Sequence, residues 1–422
     1  MKRRNIMLSM LFAAVTLSFL FTGCKKTEDT SLTLSSLMAG DIDLNGATAP
    51  DNVPVSPTIV ATFSTDVDAA TATSANITME QDYDKSMIDL AITVSGKTIT
   101  IVPNSTLGNG ALYKLSFGAG LMATNGLAIT AIDRSFTTEG TFVPAGQFAY
   151  WNFNDNADDQ VGNFSPAAGG TTGITYVDSR NTDAGKAASF DGATSLIEIP
   201  NGDQLMNTSD FTLCFWVKED STGKRDQFVM GLAGWYGFQF EINNNGNGNL
   251  GECKLAAQYS ISDGTTASQD LWFNGGADGT TKDNGGWKGW TFCKDLTSNN
   301  GTGVNGLLAE KWAQVVCMYN SVTKIGDIYI NGQKMKEQDY NLYGSDNALS
   351  MATGLKYAGN AGNNAFVFGF IQDKNDPTIG DDWAAYSNPD NGHFQGQLDD
   401  VRIFHKVLTE TEIQLMYNSE KP

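Results

Sequence analysis

Three stretches gather side chains able to recognise or transform another molecule. Residues 262–309 are crowded with Gly, Asn and Asp and carry Trp272, Phe273, Trp287 and Trp290. Residues 372–393 set Asp373, Asp376, Asp381, Asp382 and Asp390 around Trp383 and Tyr386, and Trp235 and Tyr236 form a third aromatic pair in a Gly-flanked turn. Flat aromatic faces beside carboxylates and amides suit sugars, because C–H bonds stack on the ring while Asp and Asn exchange hydrogen bonds with hydroxyls. The competing reading is that each ring only pins its own loop. Long loops without an apolar period are uncommon unless they are functional or disordered, and four large aromatics argue against disorder.

Other chemistries find less support. The paired acids Asp399 and Asp400 lie in Gly396-Gln397-Leu398-Asp399-Asp400-Val401-Arg402-Ile403-Phe404, an alternating strand, so they are expected on opposite faces, unable to flank one bond. With only His393 and His405, a His-based triad or zinc site has little to draw on. Ser95-Gly96-Lys97-Thr98 imitates the end of a phosphate loop, but Ala91 stands where that loop needs its first glycine, and β-rich runs flank it. It reads as a hairpin turn. Beyond Cys24 four cysteines remain. Cys214 and Cys317 sit in apolar strand runs as buried thiols, and Cys253 and Cys293 flank the long insertion, where either a disulfide or free thiols would fit.

The elements that must position these residues are strands. Phe211–Lys218 places Phe211, Leu213, Phe215 and Val217 on one face and Cys214 and Trp216 on the other, the pattern of a central strand covered on both sides. Trp151, Trp216 and Trp312 read as scaffold, and Asn331-Gly332 after Ile328-Tyr329-Ile330 signals a two-residue hairpin. Thr409 with Glu412 is a capping box opening a terminal helix whose Ile413, Leu415 and Met416 can lie on a sheet. Residues 31–140 read as short strands of a separate antiparallel sandwich.

Tyr150-Trp151-Asn152-Phe153, Phe190-Asp191-Gly192, Leu196–Ile199, Phe211–Lys218, Trp312–Val316, Ile328–Gly332 and the closing stretch occur in an order that resembles laminin-G-like, concanavalin A-like jelly rolls. Ile59–Asp68, Ser74–Thr78, Tyr113–Leu115 and Ser135–Thr138 resemble bacterial Ig-like domains that serve as spacers. The expected fold is therefore all-β, an N-terminal Ig-like β-sandwich followed by a concanavalin A-like (LamG-type) jelly roll. The jelly-roll resemblance implies a structural calcium ion, with Asp191 and Asp399 as ligands by motif position. Hydrolases of that superfamily carry Glu-x-Asp-x-x-Glu on one strand, a string missing here, so the chain is expected not to be an enzyme.

Lys2, Arg3 and Arg4 precede an apolar run from Ile6 to Phe21, a signal-peptide pattern too short to span a membrane stably. Thr22-Gly23-Cys24 resembles a bacterial lipobox with Phe21 in place of the usual Leu, which implies lipidation at Cys24. Lys25-Lys26-Thr27-Glu28-Asp29 resembles the surface-export tag of Bacteroides-like lipoproteins, implying the outer membrane, facing outward. The expected plan is signal peptide 1–23, tether 24–30, Ig-like domain 31–140, linker 141–147 and jelly roll 148–420. The net charge of −20 excludes nucleic acid as a partner. The leading expectation is a cell-surface binder of extracellular glycan. A protein-binding, assembly or adhesion subunit and a diverged glycoside hydrolase are the alternatives.

Overall fold

The computed structural model describes residues 31–83, 85–244, 250–276, 289–297, 302–375, 378–388 and 392–422. The signal peptide with Cys24, together with Trp287, Asp376 and Asp390, lies outside the described residues. The chain folds as two β-sandwiches in series.

In the first, a five-stranded sheet runs in the order Ile42–Asp43, Leu34–Ala39, Ile59–Phe63, Thr98–Pro103, Leu90–Ser95. It faces a four-stranded sheet ordered Met87–Ile88, Ile77–Gln81, Leu112–Phe117, Ile132–Thr137. Strict alternation buries Ile59, Ala61 and Phe63 against Tyr113, Leu115 and Phe117. Ser95 pairs with Thr98 across the two-residue turn Gly96-Lys97, with Gly96 at φ +56°, so the phosphate-loop look-alike is a hairpin.

The second sandwich stacks a nine-stranded on an eight-stranded antiparallel sheet. Gln395–Phe404 lies near the middle of the first, between Lys186–Asp191 and Phe211–Glu219, and Gln147–Trp151 also pairs with it. Phe211, Leu213, Phe215 and Val217 face the inter-sheet core. Cys214 faces outward, where Ile413 and Met416 of the helix Glu410–Glu420 cover it. Thr409 caps that helix as expected, its hydroxyl taking the Glu412 N–H while Glu412 returns a bond to the Thr409 N–H. Asn331 at φ +53° and Gly332 at φ +73° make the hairpin between Ile325–Ile330 and Gln333–Asp339.

The expectation that Asp399 and Asp400 diverge is corrected. Cys214 pairs with Arg402 and Trp216 with Asp399, so Asp400 and Val401 together oppose the single residue Phe215. This is a one-residue bulge, with Asp400 at φ +47°. The extra residue turns both carboxylates to one side, where a single guanidinium holds them: Arg180 Nη1 lies 2.5 Å from Asp399, and Nη2 pairs with Asp400. Arg402 Nη1 pairs with Glu420 at 2.7 Å, Trp216 Nε1 donates to Glu420 at 2.7 Å, and the Tyr150 hydroxyl donates to Asp400 at 2.5 Å. Burial raises the Asp399 carboxyl, and the adjacent Asp400 charge adds to that. Removing one member leaves its partners charged and buried, which costs more than the whole network contributes. Arg180→Ala is expected to destabilise the jelly roll by about 3–5 kcal/mol, read from urea unfolding followed by tryptophan fluorescence. A loss below about 1 kcal/mol would show that the network is not holding the helix end.

Candidate functional site

The outer face of the eight-stranded sheet is divided. Over Leu196–Ile199, Phe366–Phe368 and Asp226–Gly231 it is roofed by the described residues of 369–375, 378–388 and 392–394, where Phe370, Ile371, Ile379 and Ala384 form a small core with Leu196, Phe228 and Val367. Over Phe238–Asn243, Glu252–Ile261 and Thr266–Phe273 it stays open. Alternation there sends Phe240, Leu255 and Leu271 inward and Glu241, Lys254 and Asp270 outward. The step between roof and open sheet makes a groove of about 830 Å³, bordered by Trp235 and Trp383.

The two tryptophans come from loops far apart in sequence. Trp235 sits in the turn Gly234–Tyr236, entered through Ala233 at φ +50° and Gly234 at φ +57°. A Cβ at Gly234 would lie 2.7 Å from Ile379 Cδ1, so the roof packs directly on this turn. Trp383 is placed by Gln372, a buried amide that donates to the carbonyls of Ile379 at 3.1 Å and Ala384 at 3.0 Å and accepts from the Ile379 N–H at 3.0 Å. The indoles lie 6.0 Å apart at 25° to each other, and Trp383, also 6.0 Å from Phe228, is 39% exposed.

The floor is polar. Lys254 Nζ sits between Glu241 at 3.2 Å and Asp270 at 3.4 Å, and Gln239 Nε2 donates to Glu241 at 3.2 Å. Burial raises the Glu241 carboxyl, opposed by the Lys254 charge. Burial pulls the Lys254 ammonium down, but the two carboxylates outweigh it and its pKa ends raised. The floor thus presents both donors and acceptors next to an aromatic wall.

Of the aromatics expected to meet a ligand, Trp235 and Trp383 are brought together here. Tyr236 stacks on Trp235 at 5.8 Å and packs on the small core without lining the groove. Tyr386 is a brace, its hydroxyl donating to the Thr194 carbonyl at 2.6 Å and its ring against Phe370 and His393. Trp272 packs on the main core, 5.6 Å from Trp290. Trp290 is buried in the strand Trp290–Cys293 under Lys336, whose Nζ lies 2.6 Å from its ring centre. Trp290 is a core residue because the insertion it belongs to returns to the sheet edge as a strand.

The carboxylates proposed for calcium have other partners. Asp191 Oδ1 accepts the N–H groups of Ala193, Thr194 and Ser195, and Oδ2 accepts the Thr194 hydroxyl. Asp399 is held by Arg180 and Ser179. Among the described residues no three His, Cys, Asp or Glu side chains are grouped to hold a metal ion. Cys253 and Cys293 are both free, so the disulfide considered between them is not formed. Both lie in the apolar inter-sheet core, where burial raises the thiols, that of Cys293 to about 11.

Phe228, Gln239, Glu241, Lys254 and Asp270 were not expected from the sequence. For Gln239 and Glu241 a signal was present: Phe238-Gln239-Phe240-Glu241-Ile242 alternates cleanly, which marks a strand with one polar face.

The chain is an Ig-like domain followed by a lectin-type jelly roll. Residues 43–138 match the family of bacterial Ig-like domains, and residues 191–373 match the concanavalin A-like lectin/glucanase superfamily. No curated protein sequence matches the chain. Among solved structures, the ligand-binding domain of botulinum neurotoxin serotype D, in complex with N-acetylneuraminic acid, is similar at 14% identity and a TM-score of 0.38 over 65% of this chain. The chain spans about half of that structure, 51%. Domain 4 of a Geobacillus stearothermophilus extracellular arabinanase, in complex with arabinotriose, is similar at 17% identity and a TM-score of 0.36, over 64% of this chain and 98% of that one.

Lys336 supplies a test of the packing around Trp290. Burial pushes its ammonium down to about 6 from the ordinary 10.5, and its Nζ has no hydrogen-bond partner. Between those values the unfolded chain binds a proton that the folded chain does not, so stability should rise with pH across that window. Lys336→Met is expected to stabilise the protein at pH 7 by at least about 1 kcal/mol and to flatten the rise of Tm with pH from 6 to 10. An unchanged pH profile would place the amine in water.

Proposed function

We propose that the groove binds carbohydrate, and that the chain is a lipid-anchored outer-membrane protein whose Ig-like domain carries the jelly roll away from the surface. The observation behind the binding reading is the near-parallel pair Trp235 and Trp383, one partly exposed, beside a floor of Gln239, Glu241, Lys254 and Asp270. Rings of this kind take the apolar face of a pyranose or furanose, and paired donors and acceptors take its hydroxyls. Binding is favoured over hydrolysis because Lys254 bridges both floor carboxylates, whereas glycoside cleavage needs one protonated acid and one carboxylate free to act on the substrate. The lipobox-like Thr22-Gly23-Cys24 and the run Lys25-Lys26-Thr27-Glu28-Asp29, lysines followed by acids, support the anchored, outward-facing reading.

The test is a glycan array probed with residues 25–422, followed by calorimetry on any hit. Trp383→Ala and Trp235→Ala are each expected to weaken binding about tenfold or more with little change in Tm. Affinity untouched by both substitutions would remove the groove as the site. Reducing-sugar release from a polysaccharide panel would replace binding with hydrolysis. A co-purifying protein partner retained by both variants would favour the assembly reading.

A further inference from the structure

Outward positions of four neighbouring strands line up across the smaller sheet. Phe228 pairs with Glu241, Glu241 with Lys254, and Lys254 with Trp272, so one residue from each strand stands in a single row perpendicular to the strands. Neighbouring strands lie about 4.8 Å apart, which makes the row about 14 Å from end to end. Aromatic rings stand at both ends. Trp383 packs on Phe228 at 6.0 Å, and Trp272 ends the row on the strand Thr266–Phe273. Trp272 lies just outside the groove, but its neighbour in the row, Lys254, lines it.

Trp272 touches the core by leaning on Trp290, yet it belongs to the open face. Leu271 and Phe273 on either side of it are fully buried toward the other sheet, so alternation turns Trp272 outward, where it is half buried. The two end rings are also braced alike. The Trp272 indole N–H donates to the Glu252 carboxyl, as that of Trp383 donates to Asp381 at 3.3 Å. Beside the row runs a lower one, in which Gln239 pairs with Ala256 and Ala256 with Asp270. Ala256 puts only a methyl between two polar side chains, so the floor dips there and the groove crosses the strands instead of following one.

The charges along this path select among sugars. Lys254, the cation of the row, is shared by Glu241 and Asp270, and Glu252 adds a carboxylate at the Trp272 end. Of the other cations bordering the groove, Lys224 donates to the Gly192 carbonyl and Arg225 lies 3.6 Å from Asp226. A uronate or sulfated chain would meet more carboxylate than ammonium along the row, whereas a neutral chain finds donors and acceptors for its hydroxyls.

We propose that the ligand is a stretch of neutral polysaccharide several sugars long, laid across the strands from Trp383 to Trp272. This rests on the carbohydrate reading of the groove and extends the site to a second stacking platform at the sheet edge. One sugar ring covers one platform, and the row is too long for it to reach the other. A chain already held at Trp383 meets Trp272 as an intramolecular partner, so the second contact adds affinity without a second loss of translational freedom.

The test is calorimetry on residues 25–422 with oligosaccharide ladders, from single sugars to hexasaccharides, cut from arabinan, xylan, mannan and β-glucan. On a ladder that binds, the long members should bind at least about tenfold tighter than the single sugar. Trp272→Ala should abolish that gain, and Trp272→Phe, which keeps a ring, should retain it. Asp270→Ala, at an exposed position on the same strand, should also reduce the gain, which keeps the test readable if Trp272→Ala does not fold. Affinity independent of chain length, a full gain in folded Trp272→Ala or Asp270→Ala, or tighter binding of a polyuronate or sulfated chain would each overturn the proposal. With binding still weakened by Trp383→Ala, those results would leave the groove reading standing. No binding by any ladder or acidic chain would remove both.

Discussion

The jelly roll is closed by one guanidinium. Arg180 reaches from the loop after Thr175–Asp178 to grip two successive carboxylates on the last strand, and its Nε donates to the Glu420 carbonyl at the end of the terminal helix. Arg402, Tyr150 and Trp216 complete the set, so the first strand of the sandwich, a central strand, the last strand and the helix share one buried polar knot. Two guanidiniums and three carboxyl groups in a dry place are tolerable only if each finds a hydrogen-bonding partner. That requirement sets the bulge, because a regular strand would send Asp399 and Asp400 to opposite faces.

This closure occupies the outer face of the larger sheet, and the groove lies on the outer face of the smaller one. The smaller sheet is roofed over half its width by a loop pinned on Gln372 and open over the rest. A groove arises at the boundary, where the strand Asp226–Gly231 shifts register between Phe228 and Met230 against Phe238–Asn243. The aromatic wall comes from the roof and a turn, and the polar floor from the outward positions of three neighbouring strands.

What could be read from the sequence follows from how local the determinants are. The hairpin at Asn331-Gly332, the cap at Thr409 and the two-sided burial of Phe211–Lys218 depend on residues within a few positions of each other, and they stand as expected. The order of strand motifs was enough for both sandwiches. The Asp399–Asp400 arrangement was misread because a bulge is a property of a strand pair, and nothing in Gly396–Phe404 reveals that Phe215 will face two residues. Trp290 looked like a loop aromatic because its partner strand, Gln333–Asp339, lies some forty residues on. The meeting of Trp235 with Trp383 was invisible for the same reason, although each ring had been singled out.

The Gln372 staple has a kinetic consequence. A surface loop carrying an indole ordinarily samples many arrangements, and a ligand that selects one must bear the ordering entropy at each encounter. Here the loop is already fixed by three hydrogen bonds from one buried amide. On the proposed reading, a ligand arriving at Trp383 would meet a surface already in its final shape, its capture would be limited by diffusion and orientation, and differences between rival ligands would fall on how slowly each one leaves.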